Sequence, residues 1–254
     1  MDINLNADLG ESFGAWRMGD DAALLAVVGS ANVACGFHAG DPLVMADTLR
    51  LAREAGVSVG AHPAFADLQG FGRRTVQLSK RELEATVLYQ VGALAGLAQA
   101  QGMHVTHVKP HGAMNNMACE DPAMAATIAG AVKAIDARLI LLAPALSQLA
   151  LAGRAAGLRV ADEVFADRAY TDDGNLMPRN RPGAVLDSSQ ACLHHVLRML
   201  ERGGIVCASG AFLPCSFHSI CVHGDSPHAV ATAAVVRQGL LAAGHRLLSL
   251  PELV

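Results

Sequence analysis

Seven short aliphatic runs alternate with longer helical stretches from one end of this chain to the other. That rhythm restricts the fold more than any other feature. The candidate strands are Ile3–Ala7, Ala31–Cys35, Val57–Ala61, Val105–Val108, Leu139–Ala143, Val160–Phe165 and Ile220–Val222. Asp41–Ala55, Ser79–Gln101, Asp121–Asp136, Leu146–Ala156 and Ser188–Arg202 read as amphipathic or Ala/Leu-rich helices between the first six strands and after them. Helix starts are marked locally. Asp41-Pro42 and Asp121-Pro122 each put a capping carboxylate before a proline at the first helical position, and Ser79 has Glu82 three residues on. Regular β-α alternation predicts a parallel sheet with helices outside it, either doubly wound or closed into a barrel. One segment breaks the pattern: Ser209-Gly210 between two apolar runs predicts a hairpin at about 205–215. With no linker, low-complexity tract or internal repeat, residues 1–254 read as one domain.

Several function classes fall away on composition. The formal charge of −4 offers no basic surface for nucleic acid, and 52% apolar residues argue against disorder. The charge-free stretch Thr86 to Met103 is broken by three glutamines and three glycines, so no membrane span is expected. The start Met1-Asp2-Ile3-Asn4 has neither a basic nor an apolar leader region. Six cysteines without a CxxC pair read as free thiols in a reducing compartment, and a cytoplasmic location is the expectation.

Residues able to do chemistry gather where the strands end. The first strand supplies Asn6, Asp8 and Glu11; the second, His38 and Asp41; the third, His62; the fourth, Lys109 and His111. The sixth delivers Glu163, Asp167 and Arg168, and the seventh His223 and Asp225. In parallel α/β folds the site lies outside the carboxyl ends of the strands, so these independent runs are expected on one rim.

Each motif also has a plainer reading. The turn from Cys35 to Pro42 is a glycine-bent helix entry, and the same geometry offers free backbone N–H groups to an anion. Asp8, His62, His111 and His223 are ligand types for a divalent metal, but no HxH or HExxH spacing singles them out. Lys109 is the most informative residue, because the chain has only two other lysines and this one falls in a buried strand. It must pair with Asp8, Glu11 or Glu163, or meet an anionic group of a substrate. Arg73 and Arg74, with Arg168, Arg179 and Arg181, are guanidinium groups suited to carboxylate or phosphate, or else members of solvated loops. Neither GxxxxGK[ST] nor GxGxxG after a strand occurs, so a bound nucleotide would be held without a P-loop.

Seven blocks taken together carry a resemblance. They are Asn4 to Gly14 (NLNADLGESFG), Ala34 to Pro42 (ACGFHAGDP), Gly60-Ala61-His62-Pro63, Gly70-Phe71-Gly72-Arg73-Arg74, Lys109-Pro110-His111-Gly112-Ala113, Ala166 to Tyr170 (ADRAY) and Cys221-Val222-His223-Gly224-Asp225. In this order they resemble the signature blocks of the LamB/YcsF family over nearly the whole chain. The resemblance implies a distorted (β/α)7 barrel of parallel strands, related to the glycoside hydrolase/deacetylase barrel. It also implies ATP-dependent opening of the 5-oxoproline (pyroglutamate) lactam to L-glutamate, in a complex with 5-oxoprolinase subunits B and C. Three places depart from the family pattern: Asn4 stands where Asp is common, Ala64 and Ala66 where Ser and Pro are usual, and Asn115 where Tyr is usual. They bear on substrate fit more than on reaction class.

Opening a resonance-stabilised lactam with ATP calls for phosphorylation of the carbonyl oxygen. Lys109 with Arg73 or Arg168 is then expected to stabilise phosphate charge. Asp8, Glu11 or Glu163 would orient Mg²⁺ or activate water, and His62 or His111 would move protons. His38, Asp41, His223 and Asp225 complete the expected binding set. A metal-dependent amide or N-acetyl hydrolase, a homo-oligomer and a non-catalytic ligand-binding component stay open at this level.

Overall fold

The structure, a computed structural model, describes residues 1–225 and 228–254. In chain order it contains β1 (Asp2–Leu9), α1 (Asp21–Leu25), β2 (Ser30–Ala34), α2 (Pro42–Ala55), β3 (Ser58–His62), α3 (Lys80–Ala100), β4 (Val105–Val108), α4 (Gly112–Glu120) and α5 (Pro122–Ile135). It continues with β5 (Ile140–Pro144), α6 (Gln148–Ala155), β6 (Arg159–Phe165), α7 (Ser189–Arg202), β7 (Gly204–Val206), β8 (Phe212–Pro214), β9 (Ser219–Val222), α8 (Ala229–Ala242), β10 (Arg246–Leu247) and α9 (Leu250–Leu253). All seven strands expected from the alternation are present. They pair in parallel in the order β1-β2-β3-β4-β5-β6-β9, and β9 pairs back onto β1, which closes a seven-stranded barrel.

The helix entries form as their residues dictate. Asp41 accepts from the N–H groups of Leu43 and Val44 with Pro42 at the first position of α2, and Asp121 does the same for Ala123 and Met124 at α5. Ser79 and Glu82 form a reciprocal capping box at α3. Helices α1, α4, α8 and α9 are additional to the expected set, and α4 starts on Gly112 directly behind a strand-end block. β7 and β8 form an antiparallel pair with Ile205 opposite Leu213.

The barrel interior is polar. Ile3, Leu5, Ala7 and Leu9 of β1 belong to the apolar layer shared with the helices, while Asn4, Asn6 and Asp8 turn inward. Barrels of this type are ordinarily filled with Val, Ile and Leu. Here the filling is a hydrogen-bonded column in which each side chain has partners, as burial demands. At its base Asn4 donates to Ser30 Oγ (3.0 Å) and to the Leu248 carbonyl (2.7 Å), and accepts from Ser219 Oγ (2.7 Å). The Leu248 contact explains the departure at this position, since an aspartate cannot donate to a carbonyl. One layer up, Asn32 donates to Asn6 Oδ1 (2.7 Å) and Asn6 donates to Glu163 Oε1 (2.8 Å), while His107 Nε2 lies 3.0 Å from Asn32 Oδ1.

Candidate active site

Above that column, at the carboxyl ends of the strands, sits Lys109. It directly follows β4, and its backbone N–H bonds to the Ala61 carbonyl of β3, so its side chain enters the barrel mouth. The ammonium lies 2.9 Å from Asp8 Oδ1, 3.1 Å from Glu163 Oε1 and 3.0 Å from Cys221 Sγ, with the Phe165 ring centroid at 5.2 Å. Of the partners considered from sequence, Asp8 and Glu163 are the ones it meets; Glu11 is not. Burial alone would lower the Lys109 pKa, but Asp8, Cys221 and Glu163 outweigh it and raise the group well above its ordinary value. Burial pushes Asp8 up, but the charges of His62 and Lys109 dominate and hold it well below the carboxylate range. Glu163 moves the other way, raised by burial with Lys109 offsetting only part. Lys109 therefore stays a cation and Asp8 an anion, at a place where water would otherwise have to supply both solvation shells.

Three histidines adjoin this pair. His62 Nδ1 lies 2.6 Å from the Lys109 carbonyl oxygen, and its Nε2 is 3.4 Å from Asp8 Oδ2 and 3.0 Å from His111 Nδ1. His111 Nε2 lies 2.9 Å from the Phe71 carbonyl. His38 stacks on His111 with ring centroids 3.9 Å apart and planes 9° from parallel, and its Nε2 is 3.5 Å from Glu11 Oε1. Burial lowers the pKa of both His38 and His111 well below the usual imidazole value, with His62 and His38 respectively adding to it. Burial, reinforced by the charge of Asp8, raises Glu11 well above its ordinary value.

A cavity of about 370 Å³ opens above these groups. Asp8, His62, Lys109 and His111 form its floor, Phe165 and His223 one wall, and Asn115, Asn116 and Glu120 of α4 line it as well. Arg73, Arg168 and Arg179 bring three guanidinium groups to its lining. Arg73 is tied to Asp225 at 2.6 Å. Arg168 donates to the carbonyls of Ala184 and Met177, which pins the 168–185 segment; burial, with the charge of Arg179, lowers its pKa to about 10. His223 is held by Asp167 at 2.9 Å and stacks on Phe165.

The residues expected from sequence therefore divide. Asp8, His62, Arg73, Lys109, His111, Arg168 and His223 line the cavity, with Glu11, His38, Glu163 and Asp225 directly behind or beside them. Asp41 does not join them: its carboxylate caps α2 and accepts from Gly14 N–H at 2.6 Å, which leaves it structural. Asn115, one of the three departures, lines the cavity with a buried Oδ1 that has no hydrogen-bond partner, whereas Ala66 is exposed away from it. Sequence reasoning missed His107, Asn32 and Cys221. The signal was there, because side chains alternate along a strand and His107, two residues before Lys109, must share its face.

Comparison with known proteins identifies the family of the chain and the fold it shares. The LamB/YcsF family matches residues 3–254. The A subunit of 5-oxoprolinase from Azoarcus sp. (strain BH72) is 61% identical over 253 residues, covering 100% of this chain and 99% of that protein. Its counterpart from Methylococcus capsulatus (strain ATCC 33009 / NCIMB 11132 / Bath) is 54% identical, covering 95% and 93%. Among solved structures, a lactam utilization protein from Thermus thermophilus superposes with a TM-score of 0.92 at 42% identity, covering 98% of this chain and 100% of that one. The catalytic domain of a peptidoglycan N-acetylglucosamine deacetylase from Eubacterium rectale ATCC 33656 reaches 0.53 at 12% identity, covering 98% and 87%, a likeness of fold alone.

Proposed function

The chain belongs to the LamB/YcsF family, and from that premise we propose that it is the A subunit of a 5-oxoprolinase, opening the lactam of 5-oxoproline to L-glutamate with ATP as the energy source. The observation that carries this reading is the Lys109–Asp8 pair at the floor of a cavity that three arginines also line. Fixed cations in a water-poor site stabilise a transferring phosphoryl group and a developing oxyanion without reorganising. At about 370 Å³ the cavity is near the small end of ligand sites, so it takes the five-membered lactam and leaves most of a nucleotide outside.

In this reading the lactam carbonyl oxygen takes the terminal phosphoryl group of ATP, releasing ADP. Water then adds to the activated carbon and the ring C–N bond breaks, the nitrogen leaving as the protonated amine, to give an acyl phosphate that a second water hydrolyses to the side-chain carboxylate and phosphate. Lys109 and Arg73 hold the negative charge of the phosphoryl group, and Asp8 keeps Lys109 protonated and aimed. His62, hydrogen-bonded to the Lys109 carbonyl and facing Asp8, is placed to take a proton from water. Asp8 is already engaged by Lys109 and Asn32, so its Oδ1 is not free for magnesium; in this reading that ion comes with the nucleotide phosphates. Work in the cytoplasm, with subunits B and C completing the enzyme, fits this reading and the buried free thiols. Among the described residues, no helix is long and apolar enough to cross a membrane.

The test is reconstitution. The chain mixed with subunits B and C should form glutamate from 5-oxoproline only with ATP and only with all three present. Lys109→Ala and His111→Ala should each abolish turnover. Full activity in both variants would remove the site from consideration.

A further inference from the structure

The hydrogen positions at His62 and His111 leave a gap with no donor in it. His62 Nδ1 faces the Lys109 carbonyl at 2.6 Å and His111 Nε2 faces the Phe71 carbonyl at 2.9 Å. A carbonyl only accepts, so each of these nitrogens carries its ring's hydrogen, and in a neutral imidazole the other nitrogen then carries a lone pair. His62 Nε2 and His111 Nδ1 consequently confront each other at 3.0 Å with two lone pairs and no hydrogen between them. Glu11 Oε1, buried and without a hydrogen-bond partner, lies 3.8 Å from the same His111 nitrogen. Two imidazole lone pairs and a carboxylate oxygen converge with no hydrogen between the two rings, and the further ring nitrogen near them, His38 Nε2, lies 3.5 Å from Glu11 Oε1, beyond a short hydrogen bond.

We infer that His62 Nε2, His111 Nδ1 and Glu11 Oε1 are the ligands of a divalent transition-metal ion of the zinc class. Two imidazoles and one carboxylate suit such an ion and not magnesium. In tetrahedral coordination, with bonds of about 2.1 Å, ligand atoms stand about 3.4 Å apart, and the separations of 3.0 and 3.8 Å bracket that value. Both histidines already have the outer contact that metal-bound imidazoles carry, the second N–H given to a backbone carbonyl, which fixes tautomer and ring plane. His38 is excluded as a ligand by its stacking, because a bound ion lies in the plane of its imidazole and two planes 9° from parallel with centroids 3.9 Å apart cannot share one. His38 instead backs His111 and faces Glu11. His62 and His111 line the cavity, so the remaining coordination position opens toward substrate. An ion with such a position polarises a carbonyl or acidifies a bound water. The assignment rests on this geometry and not on the lactam-opening reading; with the ion bound, His62 is its ligand and activation of water passes from the imidazole to the ion.

The experiment uses the whole chain, stripped with a chelator and desalted, then equilibrated with zinc or cobalt(II). Metal analysis should give one ion per chain, and cobalt should give a visible d–d absorption. Glu11→Gln and His111→Ala should each weaken binding by about 100-fold or more, beyond the loss that an outer-contact change causes; replacing the exposed His104 and His194 with Ala should not. If either site variant fails to fold, the wild type decides alone, since an ion bound only by the native state raises the unfolding temperature. A folded wild type that takes up neither metal and gains no stability overturns the assignment, and a shared proton then separates the two nitrogens. Undiminished binding in both folded site variants overturns it as well. No turnover enters these readouts, so failure here leaves the lactam-opening reading standing.

Discussion

Lys109 Nζ and Glu163 Oε1 lie 3.1 Å apart inside the barrel, and with Asp8 they make one cation shared between two carboxylates, from β1 and β6, the strands that flank β9. Neither side chain of the pair is more than 3% exposed. The arrangement costs desolvation on every member, so removing the cation leaves two buried carboxylates facing each other.

Lys109→Met is expected to destabilise the fold by about 3–5 kcal/mol in urea unfolding. Adding Glu163→Gln to it should recover part of that loss, because one of the stranded charges is then gone. A single-variant change within about 0.5 kcal/mol would show that the triad contributes nothing to the fold.

Gly60 holds the space that the His107 ring fills. A Cβ built there would stand 2.1 Å from His107 Cδ2 and 2.2 Å from its Nε2. The ring cannot swing away without losing Asn32 and Thr106. Gly60→Ala should lower stability by about 3 kcal/mol, the upper end of ordinary overpacking costs. Thermal unfolding of Gly60→Ala combined with His107→Ala should show less destabilisation than the sum of the two.

Asp67 organises the loop that carries Phe71 and Arg73. It binds Arg74 through both carboxylate oxygens and accepts from Gly70 N–H at 2.9 Å. The Arg74 hydrogen bond is the main cause that holds its pKa at about 2, against 3.8 for the free group. A depressed carboxylate adds stability above its unfolded pKa and loses it as pH falls through the folded one. The stability gap between wild type and Asp67→Asn is therefore expected to be constant from neutral pH to about 5 and to shrink as pH falls from 3.8 toward 2. A gap independent of pH over that range would contradict the assignment.

Burial pushes the thiols of Cys35, Cys119 and Cys192 up to about 12. At pH 8 they are neutral, and a thiol reagent attacks only the thiolate. Of the six cysteines only Cys215 is not buried, and its pKa is raised as well. Native protein at pH 8 should label slowly and first at Cys215, by mass spectrometry of digests, whereas denatured protein should label at all six. Prompt labelling of Cys35 in the native state would refute this.

Much of this architecture is legible along the chain. Helix caps at Asp41, Ser79 and Asp121 act through residues two or three positions away, so their chemistry is local and survives any tertiary arrangement. Strand-end placement of Asp8, His62, Lys109 and His111 is equally local, because it depends only on where each aliphatic run stops. Helix α8 was not legible, since its hydrophobic residues go nearly all round and leave little amphipathic signal.

What the sequence determined by itself is the set of elements, the parallel class of the sheet and the rim on which its polar residues meet. Alternation along Asn4, Asn6 and Asp8 says that these side chains share a face, but a period of two is the same whether that face meets water or the inside of a barrel. Closure of β9 onto β1 decided it, turning the polar face inward and forcing each group to find a partner. The same closure chose Asp8 and Glu163 rather than Glu11 for Lys109, left Asp41 as a helix cap, and set His62 and His111 nitrogen to nitrogen. Such pairings join residues far apart in the chain, and their distances exist only once the barrel has closed.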